Sequence, residues 1–299
     1  MHQNNKINKS NHSIMTRFTP FRIPNSQHLA PGSQVYTEKF MRKPDKSVRV
    51  SVIIPIFNEA DTLPAVLAEI NSLPFQTEII CVINGCQDES EQIARKSGAR
   101  ILEFHDALGH DVGRALGSSE ANKADVYLFT DADIVIKAVD LALFVQAVYN
   151  GVDLALNDFS HILGTDALFH PVNICKYFLN LALRHGKLGP SSLTAIPHAF
   201  SRNAIEIIGY DSLSCPPLAL VKAALNNLNI QAIHFVDISS VNKHTATSLE
   251  DDSLIELILG DHLEALDYLD SQLGNRAWFT DNVRRRYLLE KKEVIINEW

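Results

Sequence analysis

The feature that most constrains the fold is a nearly continuous apolar run, VRVSVIIPIF, at residues 48–57. A strand has this composition when helices cover both of its faces, as they do in parallel sheets. Further apolar strands follow at TEIICVI (77–83), ARILEF (99–104) and DVYLFT (125–130), and polar, helix-forming segments separate them. The alternation predicts an α/β fold, a mostly parallel sheet flanked by helices.

Helix-start signals lie in the segments between these strands. Pro64 suits the first turn of a helix that follows the first strand. Asp88 and Glu91 have the spacing of a capping box, which predicts the start of a second helix. A third helix is predicted over residues 114–122.

The second half of the chain changes character. Helical patterns dominate it, and they predict one α/β domain over residues 48–245 followed by a helical extension over 246–299. The predicted helices cover residues 169–184, 218–228, 251–273 and 281–296, and IQAIHFVDI (230–238) is a predicted late strand.

The first 47 residues differ from the rest in charge. They contain eight lysines and arginines and two acidic residues, which gives a net charge of +6. Because the whole chain carries −8, the remaining residues carry −14. This balance argues against nucleic acid as the main partner of the folded part. The segment is rich in Asn, Ser, His and Pro, which predicts a disordered tail. The alternative is a basic arm that rests on anionic lipid.

The compartment is predicted from what the sequence lacks. The four cysteines show no paired-ligand spacing, and the start of the chain has no apolar secretory stretch. No window of about 18 residues is free of strongly polar groups, which argues against a spanning helix. We therefore expect a cytoplasmic protein with a possible peripheral contact at the inner face of a membrane.

Polar residues follow the predicted strands at the points where ligands bind in parallel sheets. They are Asn58, Asn84 and the sequence Asp131-Ala132-Asp133. Two carboxylates one residue apart project to opposite sides of an extended backbone, so one can bind a divalent cation while the other meets a sugar hydroxyl. Mg²⁺ and Mn²⁺ prefer such oxygen ligands and can bridge them to a diphosphate. Acidic residues are also common in solvated turns after strands, so the motif alone is weak evidence for a metal site and its interpretation depends on the neighbouring motifs.

Three segments in order, SVIIPIFNEADTL (51–63), CVINGCQDES (81–90) and DVGRALGSSEANKADVYLFTDADIVI (111–136), resemble the family 2 glycosyltransferases, which have the GT-A fold. The resemblance is close over residues 48–136 and looser to about residue 245. It implies transfer of a sugar from a UDP- or GDP-linked nucleotide-diphosphate sugar to an unknown acceptor, with Mn²⁺ or Mg²⁺ as cofactor.

The resemblance also implies roles for residues on the nucleoside side of the donor. Pro55, Asn58 and Glu59 match the loop that holds the base and ribose. Asn84 stands where the family usually has an Asp facing the base. An amide supplies both a donor and an acceptor, so it can still pair with a base edge.

On the phosphate side, the matching residues are charged. Arg114 matches the region where family members place a Lys or Arg near the donor phosphates, and its alternative is a helix-surface charge. Asp133 is implied as the metal ligand, and Asp131 as a ribose or metal contact.

The catalytic base is where the sequence departs from the family. Inverting members usually carry a Glu-Asp pair after a Gly-Phe-Asp-like turn, and one carboxylate there removes the acceptor proton. This chain has the turn, IGYDSL, followed by residues 214–217, SCPP, which contain no carboxylate. Asp211 is the nearest remaining candidate, although the matching position in the family is more often structural.

The second half loosely resembles the glucosyl-3-phosphoglycerate synthases, which are retaining GT-A enzymes. In those, a late histidine joins the second Asp of the acidic motif on the metal, and the matching residue is His244. Its alternative is a surface histidine. His198 falls where family members meet the donor sugar and acceptor, and its alternative is a turn histidine beside Pro197.

Two classes of function stay open at this point. One is a metal-dependent glycosyltransferase, and the other is a catalytically degenerate relative that serves as a nucleotide-sugar-binding or assembly partner. Sugar nucleotidyl transfer ranks last, because the chain has no glycine-rich N-terminal loop to receive a triphosphate.

Overall fold

A seven-stranded sheet forms the centre of the computed structural model, which describes residue 45 and residues 47–121, 124–238 and 248–289. The order of its strands is β3-β2-β1-β4-β6-β5-β7. Every neighbouring pair is parallel except those of β6, which runs antiparallel to β4 and β5. The predicted mostly parallel α/β fold is confirmed. The strands are β1 (Arg49–Ile56), β2 (Gln76–Asn84), β3 (Arg100–Phe104), β4 (Val126–Phe129), β5 (Leu154–Asn157), β6 (His198–Ser201) and β7 (Ile230–His234).

Helices cover both faces of the sheet. Those of the described part are α1 (Leu63–Asn71), α2 (Ser90–Lys96), α3 (Val112–Glu120), α4 (Ala138–Tyr149), α5 (Pro171–Ala182), α6 (Arg202–Ile208), α7 (Pro216–Leu225) and α8 (Ser248–Leu273). Buried side chains of α1, α2 and α4 form the core on one face, and those of α3 and α5 to α8 form the core on the other.

Strand β1 shows why its sequence is apolar throughout. Val52 and Ile54 belong to the first core, whereas Ile53 belongs to the second. Alternate residues of a strand face opposite sides, so a strand covered on both faces needs apolar residues at every position.

Helix α3 lies unusually close to β1. A Cβ on Gly117 would come within 2.5 Å of the Ile53 side chain, and one on Gly113 would lie 3.3 Å from Pro55. Glycine at both positions therefore allows the close approach. The contact brings the first turn of α3 next to the carboxyl ends of β1 and β4.

The predicted capping box is wrong. Helix α2 begins at Ser90, and the carboxylate of Asp88 accepts from the N–H of Ser90 at 2.9 Å and of Ala60 at 3.0 Å. Glu91 instead forms an ion pair with Arg95 one turn later. The carboxylate of Asp88 is therefore divided between the helix start and the loop after β1, and the pair with Arg95 replaces the return bond from Glu91 that defines a capping box.

The C-terminal extension matches its prediction in part. Helix α8 agrees with the predicted 251–273 helix, and its Ala265 and Leu269 are buried in the second core. The predicted helix over 281–296 is wrong within residues 281–289, where a short 3₁₀ helix, Arg286–Leu288, is the one helical element. The domain boundaries stay predictions.

Two further observations concern membranes and the termini. Within the described ranges, no helix is both long and apolar enough to cross a membrane. Of the basic N-terminal segment, residues 1–44 and 46 lie outside those ranges, as do residues 239–247. The predicted disordered tail and lipid contact therefore stay predictions.

Candidate active site

A cleft of about 360 Å³ opens at the carboxyl ends of β1, β2 and β4. This is the edge of the sheet at which the sequence predicts ligand binding, because parallel strands end there together. Six of the predicted site residues line the cleft: Pro55, Glu59, Asn84, Arg114, Asp131 and Asp133. The other lining residues are Ile56, Phe57, Ala107, Gly109, His110, Asp111 and Ala132.

The cleft is strongly acidic. Four carboxylates line it, from Glu59, Asp111, Asp131 and Asp133, whereas Arg114 is the one lysine or arginine among the described lining residues. An anionic ligand is repelled by such a surface unless a cation accompanies it.

Arg114 is fixed in the cleft by two of these carboxylates. It lies in the first turn of α3, with its side chain 12% exposed. Its Nη2 donates to Oδ1 of Asp131 at 2.6 Å, and its Nη1 donates to Oδ1 of Asp111. The guanidinium therefore faces the strand ends rather than the open helix surface, the alternative that the sequence left open.

Asn84 ends β2 and holds the neighbouring loop. Its Oδ1 accepts from the N–H of Leu108, and its Nδ2 donates to the carbonyl of Gly109 at 3.2 Å. Asn84 is buried, with only 9% of the residue exposed. The loop at residues 106–109 thereby becomes one wall of the cleft, and the amide that was predicted to face the base already has partners.

The loop after β1 is fixed against the start of α2. The N–H of Glu59 donates to Oγ of the buried Ser90 at 2.8 Å. Asn58 has a φ of +55° and accepts from the N–H of Gln87 at 2.7 Å. Asn58 therefore positions this loop and does not itself line the cleft. Phe57, which does line it, is 53% exposed.

His198 lies in β6 and is packed away from the cleft. It is 2% exposed, its ring stacks on Phe129 with 4.9 Å between centroids, and its Nδ1 lies 3.0 Å from the carbonyl of Ala195. Burial, together with the positive charge of Arg114, lowers its pKa to about 3. A direct contact with the sugar or acceptor would require His198 to leave this packing.

Two predicted residues remain, Asp211 and His244. Asp211 is exposed in a 3₁₀ helix, Tyr210–Ser214, and does not line the cleft. The next residues, Cys215 and the two prolines that begin α7, are buried and carry no carboxylate. His244 lies outside the described residues. Its role as a metal ligand stays a prediction.

The family model described as glycosyl transferase family 2 matches residues 51–205, which is more than half of the 299 residues. The chain belongs to glycosyl transferase family 2. The matched region contains the whole cleft and runs from β1 to the middle of α6.

The curated relatives of this family 2 member match a limited stretch. The chain is 28% identical over 116 residues to the undecaprenyl-phosphate 4-deoxy-4-formamido-L-arabinose transferase of Aeromonas hydrophila, a match that covers 35% of each protein. It is 29% identical over 110 residues to the dolichyl-phosphate hexose transferase of Haloferax volcanii, covering 36% of the chain and 47% of that protein. The match therefore spans about a third to a half of these relatives' lengths.

Solved structures show the same fold over a greater length. The glucosyl-3-phosphoglycerate synthase of Mycobacterium tuberculosis in complex with UDP superposes with a TM-score of 0.55 at 20% identity, covering 81% of this chain and 88% of that one. Its complex with Mn²⁺, UDP and phosphoglyceric acid gives 0.53 at 21% identity, covering 81% and 86%. The family 2 member has the GT-A fold, as the sequence resemblance implied.

The donor set of the cleft fits a hard divalent cation. Among the described residues, no group of three or more His, Cys, Asp or Glu side chains forms a ready-made metal cluster. Mg²⁺, however, is commonly bound by one or two carboxylates together with water and substrate phosphates. Asp131 and Asp133, which both line the cleft, supply that number of carboxylates.

The sequence missed three parts of the site. Phe57 was counted as the end of a buried strand, and Asp111 and His110 were unassigned loop residues. A signal for Asp111 was present, since it directly precedes the glycine-containing helix that carries Arg114. Its contact with Arg114 depends on a positive φ of 61°, which the sequence does not display.

Proposed function

We propose that this family 2 member transfers a sugar from a nucleotide-diphosphate sugar to an acceptor, with the donor bound in the cleft and with Mn²⁺ or Mg²⁺ as cofactor. The observation that carries the proposal is the convergence of Asp131, Asp133 and Arg114 in one cleft at the strand ends. Two carboxylates that can hold a cation and a guanidinium that can pair with phosphate oxygens suit a diphosphate bound together with a cation.

Each group has a defined task in the proposed reaction. Asp131 and Asp133 would hold the cation, which neutralises the charge that develops on the leaving diphosphate. Arg114 would donate hydrogen bonds to phosphate oxygens, as its rigid fork of donors suits. Pro55 and Glu59, which also line the cleft, would contact the base and ribose.

The charge of the cleft supports metal dependence. With four lining carboxylates against one arginine, a diphosphate alone meets net repulsion. We therefore expect the donor to bind weakly in the absence of a divalent cation and more tightly in its presence.

The comparison supports UDP as the first nucleotide to test, because the M. tuberculosis synthase binds UDP together with Mn²⁺. The acceptor stays open between two kinds of molecule. The names of the curated relatives contain undecaprenyl phosphate and dolichyl phosphate, whereas the structural relative binds phosphoglyceric acid. A lipid acceptor would agree with the proposed peripheral contact of the basic tail with a membrane.

For the stereochemistry we propose retention. An inverting reaction needs a carboxylate base within reach of the acceptor hydroxyl, and residues 214–217 supply none. In a front-face reaction with retention, the leaving phosphate oxygen takes the acceptor proton, and a separate base is not required.

The same missing base favours a second candidate, a protein that binds nucleotide sugars without turning them over. A transfer and hydrolysis assay separates the two. UDP- and GDP-linked sugars are supplied with Mn²⁺ and either a polyprenyl phosphate or 3-phosphoglycerate, and release of the nucleotide diphosphate is measured. Metal-dependent release supports the transferase. Binding of UDP with Mn²⁺ but no release with any donor supports the second candidate, and absence of binding contradicts both.

A further inference from the structure

Arg114 is shared between two carboxylates, and the proposed function uses only one of them. Asp131 accepts from Nη2 at 2.6 Å, and Asp111 accepts from Nη1. The side chains of Arg114 and Asp111 are 12% and 14% exposed, whereas that of Asp131 is 31% exposed. Arg114 and Asp111 thus form the shielded side of the cluster, and Asp131 is its open side.

The backbone of Asp111 does not require a carboxylate. Its φ of +61° lies in the left-handed region, and its carbonyl accepts from the N–H groups of Arg114 and Ala115 at 2.9 and 3.3 Å to begin α3. Glycine and asparagine adopt this conformation at least as readily as aspartate. In the part of the chain that the structure describes, the one hydrogen bond of the Asp111 carboxylate is to Arg114. The charge at this position therefore acts on Arg114.

The guanidinium of Arg114 has donors to spare. Its Nε is buried and has no hydrogen-bond partner among the described residues. A guanidinium presents parallel N–H groups that match both oxygens of one carboxylate, and such two-point pairs are the preferred arrangement. Among the described residues Asp131 receives its one hydrogen bond at Oδ1, and the other arm of Arg114 is directed to Asp111.

We propose that Asp111 is a positioning residue that divides Arg114 between two carboxylates and so leaves one oxygen of Asp131 available to the ligand. Without the charge of Asp111, Arg114 turns both arms to Asp131 and occupies the oxygens that the cation and ribose need. The inference rests on the proposed function for what the cleft binds. The arrangement of the three side chains is independent of it.

The test uses Asp111→Asn, which keeps the size of the side chain and its tolerance of a positive φ but removes the charge. By titration calorimetry, we expect the variant to bind UDP in Mn²⁺ about tenfold more weakly than the wild type, because Asp131 is engaged by Arg114. Binding of uridine without Mn²⁺ should not change. In an Arg114→Met background, Asp111→Asn should cause no further loss. Asp166→Asn, an exposed carboxylate outside the cleft lining, is the matched control.

Three outcomes of the binding measurements overturn the inference. The first is a UDP affinity of Asp111→Asn that equals or exceeds that of the wild type. The second is that Asp111→Asn lowers UDP affinity as much in the Arg114→Met background as in the wild type. The third is that Asp111→Asn lowers uridine affinity as much as UDP affinity, which indicates a merely structural role. A ligand-free crystal structure of Asp111→Asn tests the arrangement itself. Both Nη atoms on Asp131 support the inference, and a single hydrogen bond contradicts it. If the wild type binds no UDP in Mn²⁺, the proposed function fails, and this crystal structure still decides the inference.

Discussion

The side chain of Asn84 and the backbone of Gly109 are joined by a hydrogen bond of 3.2 Å, in which Nδ2 donates to the carbonyl. The same amide accepts from the N–H of Leu108 through Oδ1. The end of β2 therefore holds the loop that forms one wall of the cleft, in a position that the sequence assigns to base recognition.

This relationship changes what is expected of Asn84→Asp. The family resemblance alone predicts that this substitution changes base preference more than it changes stability. In the structure, Asp retains the acceptor for Leu108 but sets a carboxylate against the Gly109 carbonyl, so we expect a loss of about 1–3 kcal/mol in the free energy of unfolding. Chemical denaturation measures it. Asn226→Asp, which removes a similar amide-to-carbonyl bond at an exposed position, should lose much less. Equal losses would contradict the assigned role.

Glu59 tests the nucleoside side of the cleft. Because Glu59 lines the cleft on the loop after β1, whereas Arg114 lies in α3, Glu59→Ala should weaken uridine binding several-fold even without a divalent cation. Calorimetry with uridine in EDTA measures this, and Glu89→Ala, outside the cleft lining, is the control. A loss seen only in the presence of Mn²⁺ would count against the assignment.

The pKa of His198 predicts a dependence of stability on pH. Burial holds the pKa at about 3 in the folded protein, below its value near 6.5 in the unfolded chain. The unfolded state therefore binds a proton that the folded state rejects, and stability is lost as the pH falls from about 6.5 toward 3, by up to about 1.4 kcal/mol per unit. His198→Asn should reduce that slope between pH 6.5 and 4.5. His105→Gln changes a side chain that is 93% exposed and should leave the slope of unfolding free energy against pH unchanged. If His198→Asn also leaves this slope unchanged, His198 is not the group that causes the loss of stability.

Asp211 provides a test of the catalytic mechanism. It is exposed and lies outside the cleft lining, so Asp211→Ala should retain turnover close to that of the wild type, whereas Asp133→Ala and His244→Ala should lose most of theirs. NMR of the anomeric proton in the first-formed product gives the stereochemical outcome. An inverted product together with an inactive Asp211→Ala variant would reverse the proposal of retention.

The site was largely predictable because parallel strands end at a common edge. Asn84 and the pair Asp131 and Asp133 follow different strands, and the alternation of strands and helices is enough to place them at one edge, whereas Pro55 and Glu59 came from the family resemblance. The placement of Asp111 was not predictable, because it depends on a positive φ and on a loop held by Asn84. These are tertiary contacts that local patterns do not encode.

The missed elements of the fold have a related cause. Strands β5 and β6 are four residues each, LALN and HAFS, and such short buried segments show no period that distinguishes a strand from a helix. Strand β6 is also antiparallel to its neighbours, which the βα alternation does not anticipate. It brings His198 into the core under the cleft, where the sequence predicted a contact with substrate.

We propose that Asp131 and Asp133 bind a nucleoside diphosphate together with a divalent cation. The most direct measurement is the thermal stability of the wild type and of Asp133→Asn with UDP, in the presence and absence of Mn²⁺. A ligand at a hundred times its Kd stabilises the folded state by about 2.7 kcal/mol. We predict this stabilisation for the wild type with UDP and Mn²⁺ together, and its loss in an otherwise folded Asp133→Asn. Equal stabilisation of the two proteins by UDP and Mn²⁺ would contradict the account.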